Sequence, residues 1–131
     1  MTLSIFSSPS KIHIVQINRC TYKEYLLWLL GYRSRFQIRG DSMLPTFKHG
    51  DVILVYPLAY DLVDPVVGDL VLINHPYEQD RKMVKRITRI INTDGNTRYH
   101  VEGDHQKKST DSRSFGSLHR SHIVGQVIAR F

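Results

Sequence analysis

The chain has 131 residues, 41% hydrophobic and 23% charged, proportions of an ordinary globular domain that exclude wholesale disorder and suit a single core. Its formal charge is +6, but the basic residues are scattered rather than gathered into an arm, and no nucleic-acid-binding signature appears, so nucleic acid is not an expected partner. Cys20 is the only cysteine, which excludes an intrachain disulfide and a cysteine-based zinc site.

The opening MTLSIFSSPSK lacks the basic start and apolar run of a secretory signal. The longest apolar run, YLLWLLGY over 25–32, falls far short of the about 20 residues that span a bilayer, so no transmembrane anchor is expected. Thr21 and Glu24 have the spacing of a capping box, and Gly31 suits a helix stop, which predicts a helix over Tyr22–Leu30. Leucines and Trp28 cover most of its circumference, more than one buried face requires. Two expectations stay open: a helix packed over the core, or one that meets a membrane surface or a partner through Tyr25–Tyr32.

From Phe36 onward the pattern turns to strands. FQIRG, DVILVYP, DLVLINHP and KMVKRITRII are short, rich in Val and Ile, and bounded by Gly, Pro or Asp. Asp94-Gly95 is spaced as a two-residue hairpin turn, and HIVGQVIARF, residues 122–131, reads as a closing strand. The expected fold is mainly β: an antiparallel domain of short strands over 36–131, behind an N-terminal extension, 1–35, that carries the short helix.

The chemistry starts from RGDSMLPTF, residues 39–47. Ser42 after a Gly–Asp turn is a helix cap in one view and a nucleophile in another, and the second needs a base. In KMVKRITRI, residues 82–90, strand alternation puts Met83, Lys85 and Ile87 on one face and Val84, Arg86 and Thr88 on the other. Lys85 thus falls on an apolar face. A free lysine titrates near 10.4, and a base working near neutrality needs about 7–8, a difference of about 4 kcal/mol. The apolar wall and the adjacent Arg86 charge are the expected sources of that depression. A packed stem with its ammonium reaching water is the plainer alternative. The polar segment VEGDHQKKSTDSRSFG, residues 101–116, could orient an amine or be a solvated loop.

Together these segments resemble the signal peptidase I family of Ser–Lys proteases. Gly40-Asp41-Ser42-Met43-Leu44-Pro45-Thr46 is similar to its first box. Gly68-Asp69 with Lys85-Arg86 resembles its second, and Gly103-Asp104 with Ser109-Thr110-Asp111-Ser112-Arg113-Ser114-Phe115-Gly116 its third, His105 replacing the usual Asn. Within the family the chain looks most like the proteases that mature nickel-type superoxide dismutase, through Val71-Leu72-Ile73-Asn74-His75-Pro76 and Val101-Glu102-Gly103-Asp104.

The resemblance implies a serine endopeptidase, cytoplasmic and without cofactor or metal, that removes the N-terminal propeptide of a nickel superoxide dismutase precursor. It implies Ser42 as nucleophile and Lys85 as general base. Ser109 would orient the lysine amine, Asp111 and Arg113 would fix the loop, and the Ser42 N–H would serve as oxyanion donor in the Gly40–Asp41–Ser42 turn. Gly40 stands where some members carry a serine as second donor. Met43 and Val84 are candidates for the pocket that takes small side chains, with substrate extended between the runs before Ser42 and before Lys85. Alternatives are general signal peptidase I-type processing at the membrane, or a repressor-type dimerisation and self-cleavage domain. His119 and His122 form an HxxH pair that matches no standard metal template.

Overall fold

A computed structural model describes residues 17–105, 107 and 110–131. Helix α1 covers Tyr22–Leu29, with the Thr21 hydroxyl accepting the Glu24 N–H at 3.3 Å. The Glu24 carboxylate, which a capping box would return to Thr21, instead accepts from Arg33 Nε at 2.8 Å. At the other end the Gly31 N–H donates to the Trp28 carbonyl and the Tyr32 N–H to the Leu27 carbonyl, the paired bonds of a Schellman stop.

No residue of α1 is buried, so the expectation of a helix packed over the core is corrected. It rests on Phe131, which Trp28 meets edge-on at 4.9 Å between ring centroids, and Arg35 stacks over both rings. Leu29 and Leu30 are left 58% and 62% exposed. Three leucines on a two-turn helix, with Leu30 at its cap, exceed what one aromatic contact can cover.

Six strands follow: β1 Ser34–Gln37, β2 Val52–Tyr56, β3 Leu70–Asn74, β4 Lys82–Thr93, β5 Asn96–Glu102 and β6 Ile123–Arg130. They form one antiparallel sheet in the order β1-β2-β6-β3-β4-β5. The mainly β expectation therefore holds. The β4–β5 hairpin pairs Thr93 with Asn96, and its turn residues Asp94 and Gly95 have φ of 51° and 79°. Left-handed backbone at both central positions matches the twist of the flanking strands.

The last strand does not close an edge. It enters the middle, between β2 and β3, and at Gly125 the chains come so close that a Cβ would sit 2.7 Å from the Tyr56 carbonyl oxygen. Alternation along β3 sends Leu70 and Leu72 into one core cluster, with Ile38, Met43, Phe47 and Val84. Val71 and Ile73 enter the other, with Ile87, Val101 and Phe115. Burial on both faces explains why LVLI reads as a continuous apolar run rather than an alternating one. A short helix, α2, covers Ser112–Phe115.

Candidate active site

Ser42 lies on the turn that follows β1. Two buried side chains, Met43 and Phe47, anchor this turn in the first core cluster, and the Phe47 N–H donates to the Met43 carbonyl at 2.9 Å. Ser42 itself is half-buried, and its carbonyl accepts the N–H of His105 at 2.9 Å. Among the described residues no acceptor takes the Ser42 N–H. Gly40 stands in the left-handed region at φ 81°, and Asp41 is exposed beside it.

Lys85 stands opposite in register to Val71, on the face it shares with Ile87 and Met83. It is 1% exposed, so its ammonium does not snorkel to bulk water. Burial pushes its pKa down to about 8; Arg81 and Arg113 add to the depression, while Asp111 and Asp104 oppose it. The displacement from 10.5 to about 8 corresponds to roughly 3 kcal/mol against the charged form. A lysine so placed can accept a proton near neutrality.

The charge expected from Arg86 is corrected. Alternation turns this side chain to the opposite face, where its Nε and Nη2 grip both oxygens of Asp104 at 2.9 Å each, and Nη1 donates to the Gly68 carbonyl. Arg86 is neutralised there, and the cationic influence on Lys85 comes from Arg81 and Arg113 instead.

A groove of about 550 Å³ brings the two halves of the site together: residues 36–43 line one side and 81–85 the other, with Ile53 and Leu72 between. Ser42, Lys85, Met43, Val84, Gly40 and Asp41 all line it. Met43 and Val84 are at once core residues and groove lining.

Asp111 is fully buried and caps α2. One oxygen accepts from the N–H and Nε of Arg113 at 3.0 and 2.9 Å, the other from the Gly103 N–H at 3.0 Å and Arg113 Nη2 at 2.6 Å. Those bonds hold the Arg113 pKa above its usual value. Ser109 lies outside the described residues. Thr110, two positions from α2, lines the groove and had no assigned part in the sequence. Asp104 and Thr46 were also overlooked: Thr46 Oγ1 donates to Asp104 Oδ2, across 58 positions of chain. Their places in the first and third boxes were the available signal. The rings of His119 and His122 lie 5.9 Å apart, with His119 against Arg98, and among the described residues no group of three metal-ligating side chains gathers.

Comparison with known proteins matches residues 24–91 and 92–131 to the family described as Signal peptidase, peptidase S26. The chain is 33% identical to mitochondrial ATP-independent inner membrane protease subunit 1a of Arabidopsis thaliana, over 74% of this chain and 69% of that protein. It is 25% identical to a probable signal peptidase I-1 of Synechocystis sp., over 72% of this chain and 68% of the relative. A shorter stretch, 40% of this chain and 20% of the relative, is 40% identical to signal peptidase I of Aquifex aeolicus. With a family match running from residue 24 to residue 131 and a relative one-third identical across most of both chains, this chain belongs to the signal peptidase, peptidase S26, family of serine peptidases.

Proposed function

We propose that Ser42 and Lys85 form a Ser–Lys dyad that cuts a peptide bond. Neutral Lys85 takes the Ser42 hydroxyl proton as the oxygen attacks the scissile carbonyl carbon. The Ser42 N–H faces the developing oxyanion. As the tetrahedral intermediate collapses, the Lys85 ammonium gives its proton to the leaving amine, and the acyl chain stays on Ser42. A water, deprotonated by Lys85, then attacks the ester carbonyl, and the proton returns to the serine oxygen. The observation that carries this reading is Lys85: buried, poised at about 8, and lining one groove with Ser42.

Substrate binds extended in the groove. In support, among the described residues β5 pairs with β4 only from Arg86 onward, and β1 ends the sheet, so an extended chain could be added along either wall of the groove. The apolar lining of Ile38, Met43, Ile53, Leu72 and Val84 suits small apolar side chains near the cut. We assign catalysis to residues 36–131, with 1–35 as an extension carrying α1.

The resemblance to the nickel superoxide dismutase maturation proteases supports one substrate in this reading: the N-terminal propeptide of that precursor, removed in the cytoplasm. Accurate cutting matters because the new amino end helps hold nickel. Incubation of the purified chain with such a precursor tests this. Wild type should release the propeptide, and Ser42→Ala and Lys85→Ala should not; wild-type-like cleavage by either variant rejects the dyad.

A second reading, processing of exported precursors at the membrane, is favoured by the exposed Leu29 and Leu30 of α1. Among the described residues no helix is long and apolar enough to cross a membrane, so attachment would be peripheral through Tyr25–Tyr32. Firm retention in a membrane pellet, with cleavage of exported precursors, would select it.

A further inference from the structure

One side-chain contact in the nucleophile turn has no part in the mechanism above. The chain leaves β1, passes Ser42 and returns to β2, and the ends of this loop are stitched by main-chain bonds. The Ile38 N–H donates to the Asp51 carbonyl at 2.7 Å, and the Gly50 N–H to the Ile38 carbonyl at 2.8 Å. The next rung towards Ser42 is made by a side chain: the Gly40 N–H donates to His49 Nδ1 at 2.9 Å. The imidazole therefore lengthens the ladder to within two residues of Ser42.

Gly40 needs such a tie. A glycine takes either sign of φ at similar energy, so nothing covalent keeps this one at 81°. No atom lies within 4 Å of where a Cβ would stand, so packing at that point does not confine it either. On the far side of the nucleophile, the His105 N–H holds the Ser42 carbonyl at 2.9 Å. The turn is thus pinned before and after Ser42, and the first pin is an imidazole. Because a main-chain N–H can only donate, Nδ1 must be the acceptor and the ring neutral, with its proton on Nε2. The same contact occupies the Gly40 N–H, so that group is not free to serve as a second oxyanion donor.

We propose that His49 is a positioning residue for catalysis: through the Gly40 peptide it fixes the direction of the Ser42 hydroxyl and N–H. The proposal rests on Ser42 being the nucleophile. It also gives an account of how a site with glycine at position 40 keeps its nucleophile turn in one conformation.

The test is steady-state cleavage of a propeptide-bearing nickel superoxide dismutase precursor by the full chain carrying His49→Ala, His49→Asn or His49→Gln, with thermal unfolding measured in parallel. The Asn side-chain oxygen falls near the place of Nδ1; the Gln oxygen reaches past it. His49→Ala should lower kcat by about 3- to 10-fold, the worth of one hydrogen bond, with KM and Tm close to wild type. His49→Asn should restore most of that loss, and His49→Gln should not. Wild-type kcat in His49→Ala, no recovery in His49→Asn, or a kcat loss that follows Tm across the three variants would overturn the proposal. Failure of the serine assignment shows separately, as cleavage that survives Ser42→Ala.

Discussion

Arg86 and Asp104 meet as a two-pronged pair, Nε on Oδ1 and Nη2 on Oδ2, at 2.9 Å each. The same carboxylate accepts from Thr46, four residues after Ser42, while Arg86 is the next residue after Lys85. One ion pair therefore couples the strand that carries the lysine to the turn that carries the serine. Arg86→Met should lower kcat by about 10-fold or more and destabilise the fold by about 3 kcal/mol, because it strands a largely buried carboxylate and the Gly68 carbonyl. Arg86→Lys should recover little, since an ammonium cannot make the paired contact. Urea unfolding and cleavage rates check both.

Activity should rise with pH through about 8 and level off above it, as Lys85 gives up its proton. Asp111 is the largest influence opposing the depressed pKa of Lys85, so Asp111→Asn should move that rise to lower pH. A pH–kcat/KM profile of both proteins decides the point. A rise that stays in place in Asp111→Asn would remove Asp111 from the electrostatics of the base.

Lys85 should also weaken the fold that holds it. Between pH 8 and 10.5 the unfolded chain keeps the lysine proton and the folded chain has lost it, so stability rises with pH across that window. Below pH 8 both states are protonated and the penalty is present in full. Lys85→Met should therefore be more stable than wild type at pH 7, by up to roughly 3 kcal/mol with the attraction to Asp111 already included, and the gap should narrow by pH 10.5. Paired denaturant titrations at pH 7 and 10 measure it.

Among the described residues, helix α1 meets the end of the sheet through the rings of Tyr25 and Trp28 against Phe131. Phe131→Ala should loosen the helix by about 1–2 kcal/mol while the sheet keeps its stability. Hydrogen exchange would show faster α1 amides and unchanged amides in β3 and β4.

The parts legible in the sequence were those set by neighbours along the chain. Thr21 signals its cap within three residues, Asp94-Gly95 its hairpin within two, and Lys85 its apolar face through Met83 and Ile87. What stayed hidden depends on distant pairing. Arg86 reads as a charge beside Lys85 because nothing nearby shows its partner, which arrives 18 positions later. The part of His49 shows only when the ladder from β1 to β2 sets its ring against Gly40. The apolar run 123–130 gives no hint whether it will form an edge or a centre, since that is settled by what β2 and β3 leave unpaired.

The central place of β6 bears on the order of events in the life of the chain. The wall that carries Ser42 belongs with β1 and β2, and the wall that carries Lys85 belongs with β3 and β4. Among the described residues only β6 pairs with both halves, and its partners in β2 lie some 70 positions upstream, a slow, long-range closure. Until residues 123–130 have docked, no strand pairing among the described residues joins the two sides of the groove. Assembly of the groove is then a late outcome of the chain's own folding.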